Sequence, residues 1–201
     1  MKKNKKVLAL LILIGVILFG YLIFRVRNDF FKKQDKTVVD SIGLYGYTLE
    51  KTDTKLYENY FKELSKILNE KTIDYEKYAE YLSKLFIVDT FTLNNKLAST
   101  DIGGTEFIHP DLKENFKENM GNNMYRNIEV NLDGKRQQEL PIVKDVTIDT
   151  IKEDKAKYNG KEYDGYIIKA NIEYEKDLGY QTEIELTLIK DDKILYIIKG
   201  N

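Results

Sequence analysis

The chain has no cysteine, no tryptophan, one histidine and two prolines among its 201 residues. Without cysteine there are no disulfides, zinc–thiolate centres, iron–sulfur clusters or cysteine nucleophiles. His109 is the single imidazole, which nearly excludes histidine-based metal sites and triads that need a histidine base. A surplus of positive charge is missing as well: 32 lysines and arginines face 33 aspartates and glutamates. Six of the cations (Lys2, Lys3, Lys5, Lys6, Arg25 and Arg27) and none of the acids fall in residues 1–27, so the remainder carries 26 cations against 33 acids, a net −7. An acidic body without a basic stripe lacks the phosphate contacts that dominate nucleic-acid affinity, so no nucleic-acid partner is expected.

What the sequence does contain begins with an uncharged run of 18 residues, VLALLILIGVILFGYLIF, from Val7 to Phe24. As a helix it would span roughly 27 Å, close to the ~30 Å hydrocarbon core of a bilayer, with flanking lysines and arginines able to snorkel. The run is longer than a secretory h-region, and RVRNDFFKK after it offers no small-residue cleavage site. It therefore reads as a single-pass signal anchor, with the lipid bilayer as partner of residues 7–24 and residues 1–6 as a short basic cytoplasmic tail. Basic residues flank the run on both sides. A short basic N-terminus that leads straight into a span ordinarily stays in the cytoplasm, which would place the C-terminal body outside the cell. Residues 25–44 read as a linker and 45–201 as one α+β extracytoplasmic domain.

Within that domain the apolar period is first helical. Asp53 is a candidate cap for a helix bearing Tyr57, Tyr60, Phe61, Leu64, Ile67 and Leu68 at spacings of three and four. Asp74 repeats the capping signal ahead of Tyr78, Leu82, Leu85, Phe86, Leu93 and Leu97, a helix expected to run to Lys96 and Leu97. PDLKENFKENM predicts a third, shorter helix, with Pro110 in its first turn and His109 at or beside its N-cap. The period then falls to two. VKDVTIDTIKEDKAKY, the Asn159-Gly160 turn signal, the alternation from Tyr166 to Tyr174, the alternation from Tyr180 to Leu188 and KILYIIKG after Asp191-Asp192 predict four strands. The intervening turns are too short for crossover helices, so the sheet should be an antiparallel meander with one buried face.

Two to three helices followed by a four-stranded meander resemble the cone-shaped nuclear transport factor 2-like fold, over roughly residues 45–200. The segment LFIVDTFTLNNKLASTDIGGTEFIHPDLKENF resembles the signature of a group of uncharacterised membrane-anchored proteins of low-GC Gram-positive bacteria. That group brings no established activity with it. In layout, a short tail, one span and an outer domain of this fold, the chain is similar to inner-membrane assembly factors of type IV secretion.

The polar residues of DTFTLNNKLASTDIGG allow two readings. In one, Asp89 is a general base inside the cone, its pKa raised by apolar burial as in isomerases and dehydratases, with His109 supplying a proton. In the other, Asp89 and the threonines satisfy backbone groups, and Asp101-Ile102-Gly103-Gly104 turns the chain where glycine tolerates positive φ. The second needs no further residue and is preferred. Gly103-Gly104 lacks the lysine and hydroxyl of a phosphate loop, and neither Asp191-Asp192 nor Asp149 and Asp154 has calcium-loop spacing. The expectation is a non-catalytic, membrane-anchored domain without cofactor or metal. Its partners would be other envelope proteins or a second copy of itself. The alternative is a ligand-binding or isomerase-like protein that uses the cone interior with Asp89.

Overall fold

The structure, a computed structural model, describes residues 20–21, 37–131 and 134–201. The chain divides into two units, residues 1–37 and 38–201. The span expected at residues 7–24 lies outside the described residues, apart from Gly20 and Tyr21. Among the described residues no helix is long and apolar enough to cross a membrane.

The second unit opens with a hairpin, β1 (Val38–Ile42) paired antiparallel to β2 (Tyr47–Glu50). Residues 38–44, expected as linker, thus already belong to the fold. Tyr47 and Leu49 alternate inward from β2 while Thr48 and Glu50 are half-buried. Helix α1 (Lys55–Leu68) follows, and its buried residues Tyr57, Phe61, Leu64, Ile67 and Leu68 form the expected stripe. Its cap is Thr54 and not Asp53: the Thr54 hydroxyl accepts from the Tyr57 amide at 3.2 Å. Asp53 instead accepts from the Glu50 amide at 2.7 Å and closes the turn out of β2.

Asp74 does cap α2 (Tyr75–Phe91), accepting from the Lys77 amide at 3.1 Å. Ten of the seventeen residues of α2 are buried, which makes it the central helix. It ends at Phe91, six residues before the expected Leu97. Thr92 leaves the helix with extended ψ, and Leu93 donates instead to the Pro141 carbonyl at 3.0 Å. Competition from that strand-like partner ends a helical period that Leu93 and Leu97 would otherwise continue. A 3-10 turn (Pro110–Leu112) and α3 (Lys113–Asn122) complete the helical part. His109 is N-cap of the turn, its Nδ1 accepting from the Asp111 amide at 3.3 Å.

Strands β3 (Val143–Tyr158), β4 (Lys161–Tyr174), β5 (Glu183–Asp191) and β6 (Ile194–Gly200) form an antiparallel sheet in sequence order. Asn159 and Gly160 both take positive φ, 49° and 76°, as the two-residue turn requires. The buried face carries Ile168, Ala170 and Ile172 of β4, Ile184, Leu186 and Leu188 of β5, and Leu195 and Ile197 of β6. Three helices on this sheet make an α+β domain. Before Gly165, residues 161–164 of β4 pair only with β3, so the two strands project as an arm. The arm curls back: the Tyr158 ring lies 4.7 Å from His109, whose amide donates to the Ile197 carbonyl of β6 at 3.1 Å. His109 is therefore buried between Tyr158 and Tyr196, where the tip of the arm meets the far edge of the sheet.

Candidate functional site

The polar stretch after α2 folds into a compact loop held by buried side chains. Asp89, in the last turn of α2, accepts from the Gly104 amide at 2.6 Å through Oδ2 and from Lys96 Nζ at 2.5 Å through Oδ1. Lys96 is 3 % exposed. Burial alone would lower its pKa, but the adjacent Asp89 charge and hydrogen bond, with Asp101 and Asp53 beyond, hold it above the ordinary lysine value. Asp101 accepts from the Leu97 amide at 3.1 Å. Tyr125 donates to the Thr90 carbonyl at 2.7 Å and accepts from the Gly103 amide at 3.2 Å. Thr92 Oγ1 accepts from the Val143 amide at 3.2 Å, tying the end of α2 to β3.

The two glycines are demanded by proximity. A Cβ on Gly103 would sit 2.1 Å from the Asp89 carbonyl oxygen, and one on Gly104 would sit 2.1 Å from Thr90 Oγ1, where φ is also +75°. Gly103-Gly104 therefore lets the loop press against the last turn of α2.

Two participants, Arg136 and Glu106, were not visible in sequence, and a third, Asp53, was read only as a cap. Arg136 donates to the carbonyls of Asn94 at 2.6 Å, Lys96 at 2.8 Å and Glu129 at 3.2 Å, clasping the loop from outside. Glu106 accepts from Thr48 Oγ1 at 3.0 Å, from the Thr48 amide at 3.2 Å and from Tyr57 Oη at 2.9 Å. Burial raises its pKa to about 7, against the lowering effect of the Tyr57 hydrogen bond. Asp53 is likewise raised, to about 6, by burial and by its acidic neighbours Asp89 and Glu50, against the lowering effects of the Glu50 hydrogen bond and the Lys96 charge. Burial of a charged group is not encoded in residue type, and the one local cue was position: Glu106 follows closely on the polar stretch that ends in Gly103-Gly104.

Asp89 and His109, the two residues a catalytic reading would pair, do not share a site. Asp89 is bound into the loop, whereas His109 sits between Tyr158 and Tyr196. A cavity of about 350 Å³ does open between α2, α3 and the sheet. Its walls are Phe86, Phe91, Ile108, Phe116, Ile184 and Ile197, with Asn115, Asn119, Gln181 and Lys199 among the polar lining. Asp89 is not part of its wall. Among the described residues no group of three histidines, aspartates or glutamates is placed to hold a metal ion. Comparison with known protein families, with curated proteins and with solved structures returned no match.

Proposed function

We propose that the chain is a non-catalytic protein held in the cell membrane by residues 7–24, with a nuclear transport factor 2-like domain outside the cell that contacts other envelope proteins. The observation that carries the reading is how Asp89 is engaged. The carboxylate with the best catalytic claim is consumed by Lys96 and the Gly104 amide, and the rest of its segment serves to close the loop. Helices followed by a curled antiparallel meander support the cone-shaped fold. The 18-residue uncharged run supports the anchor, and the net −7 of the remainder supports protein partners over nucleic acid.

The test has two arms. Protease added to intact cells should digest the domain while a cytoplasmic control survives; protection of both reverses the orientation. Crosslinking in the membrane fraction, followed by reconstitution of the captured protein with the purified full chain, should give a one-to-one or symmetric complex. Turnover of a substrate abolished by Asp89→Asn at unchanged melting temperature would overturn the non-catalytic reading.

The 350 Å³ cavity favours a second reading, a binding site for a small, mainly apolar ligand with Lys199 and the asparagines as polar lining. This departs from the original alternative, because Asp89 takes no part in it. A solvatochromic apolar dye should then bind once per chain and be displaced when Ile184→Trp fills the cavity. Equal dye binding by both proteins would remove this reading.

A further inference from the structure

Glu106 stands where three elements meet: β2 through Tyr47 and Thr48, the start of α1 through Asp53 and Tyr57, and the end of α2 through Asp89. Its neighbours there are mainly acidic or weakly acidic groups, since Asp53, Asp89, Tyr47 and Tyr57 all act electrostatically within this junction. Lys96, which acts on Asp53 and Asp89 from the loop side, is bound to Asp89. An ionised Glu106 is thus partly desolvated and faces other carboxylates.

The hydroxyl of Tyr57 lies 2.9 Å from Glu106 Oε1 and 3.1 Å from the Thr48 carbonyl oxygen. It has one hydrogen and cannot donate to both. When Glu106 is ionised, Tyr57 donates to the carboxylate and the Thr48 carbonyl loses that donor. When Glu106 carries a proton on Oε1, it can donate to Tyr57 Oη and Tyr57 can donate to the Thr48 carbonyl. Meanwhile Oε2 still accepts from the Thr48 amide and hydroxyl, at 3.2 and 3.0 Å. The protonated form makes one more hydrogen bond and holds Thr48 at both its N–H and its C=O.

We propose that Glu106 is a proton-operated latch that clamps the β1–β2 hairpin onto α1 when protonated and loosens it when ionised. The proton enters from solvent and returns to it, and no other bond is made or broken. Burial holds the Glu106 pKa at about 7 in the fold, against 4.5 for an ordinary glutamate, which puts the transition within the physiological range. The hairpin is the first element of the second unit, so the latch controls how firmly that element is fastened to the rest of the unit.

Amide hydrogen exchange on the full chain in detergent micelles, corrected for intrinsic rates, tests the proposal at pH 5.5 and pH 8. Hairpin amides of the wild type should be better protected at pH 5.5, on the order of tenfold, while core amides of α2 serve as reference. Glu106→Gln supplies a permanent donor and acceptor of the same shape, so hairpin protection should lose most of its pH dependence, the remainder being that of Asp53 on the Glu50 amide, and exceed the wild type at pH 8. Equal hairpin protection of the wild type at both pH values overturns the latch. So does a Glu106→Gln protein that keeps the wild-type pH dependence. Should that variant not fold, the carbon resonance of the Glu106 carboxyl decides: a midpoint above 6 supports the latch and one near 4.5 sinks it.

Discussion

Lys96 Nζ lies 2.5 Å from Asp89 Oδ1, seven residues back along the chain, with the lysine buried and the aspartate partly so. A buried pair of this kind need not stabilise relative to an apolar pair, but removal of one partner leaves the other buried without the counter-charge bonded to it. Asp89→Ala should therefore cost about 3–5 kcal/mol, with the Gly104 amide orphaned as well. Chemical denaturation of the wild type and variant checks this. A loss below about 1 kcal/mol would mean that the loop closes without the pair, and the structural account of Asp89 would fail.

Gly104→Ala tests the same loop from the other side. The new methyl would meet Thr90 Oγ1 at 2.1 Å and the ring of Phe86 at 2.9 Å, in a left-handed conformation. We expect a loss of about 2–4 kcal/mol from strain and overpacking together. Gly43→Ala is the control, because nothing lies within 4 Å of its Cβ position. Thermal melts of the two variants should differ by well over 5 °C, about what 1–2 kcal/mol moves in a domain of this size.

Much of this architecture was legible in the sequence because hydrophobic period and turn chemistry dictate it locally. Strand β3 was expected at VKDVTIDTIKEDKAKY and occupies that segment, since Pro141 before it and Asn159-Gly160 after it fix both ends. The stripe of α1 and the Asp74 cap were equally local. Two expectations differ from the structure: α2 ends early because distant Pro141 offers Leu93 a carbonyl, and, by a local choice between neighbouring caps, Asp53 turns back three residues to Glu50 and leaves the cap to Thr54. At the candidate site, the preferred reading of Gly103-Gly104 as a turn needed only their chemistry. The roles of Lys96, Glu106 and Arg136 could not be read, since each is a charged residue whose placement depends on partners 7 to 58 positions away.

Asp53 predicts a pH dependence distinct from that of Glu106. Its folded pKa of about 6 exceeds the ordinary aspartate value of 3.8, so the folded state binds the proton more tightly than the unfolded chain. The resulting stability is fully present below pH 3.8 and is lost as pH rises through about 6. Asp53→Asn should remove this slope and leave the variant more stable than the wild type at pH 8, by about 1–2 kcal/mol after allowance for partial exposure. Urea midpoints at pH 4, 6 and 8 measure it. A wild type that gains stability from pH 4 to pH 8, with the variant parallel to it, contradicts the assignment.

The Tyr78 hydroxyl, 2.6 Å from that of Tyr47, also accepts from the Leu195 amide at 3.2 Å, so it joins α2 to the hairpin and to β6. Tyr78→Phe deletes an acceptor from a buried amide without changing shape. The expected loss is about 1–3 kcal/mol, larger than for an exposed tyrosine. Combined with Tyr47→Phe, the double variant should lose less than the sum of the single losses, because the first change already breaks the shared bond. Strict additivity across the cycle would show that the two hydroxyls do not act together.

Ser83 carries a prediction of opposite sign. It lies at 0 % exposure in the middle of α2, and its Oγ has no hydrogen-bond partner among the described residues. A hydroxyl taken out of water without a partner costs stability, and serine is a poorer helix former than alanine. Ser83→Ala removes both penalties and leaves a void of only one oxygen atom. The variant should be more stable by about 1 kcal/mol, read as a higher urea midpoint at unchanged m-value. A destabilised variant would mean that the hydroxyl has a partner in solution, an internal water or a bound ligand. A crystal structure of the wild type would then locate it, and with it a polar site in the core that apolar packing alone does not require.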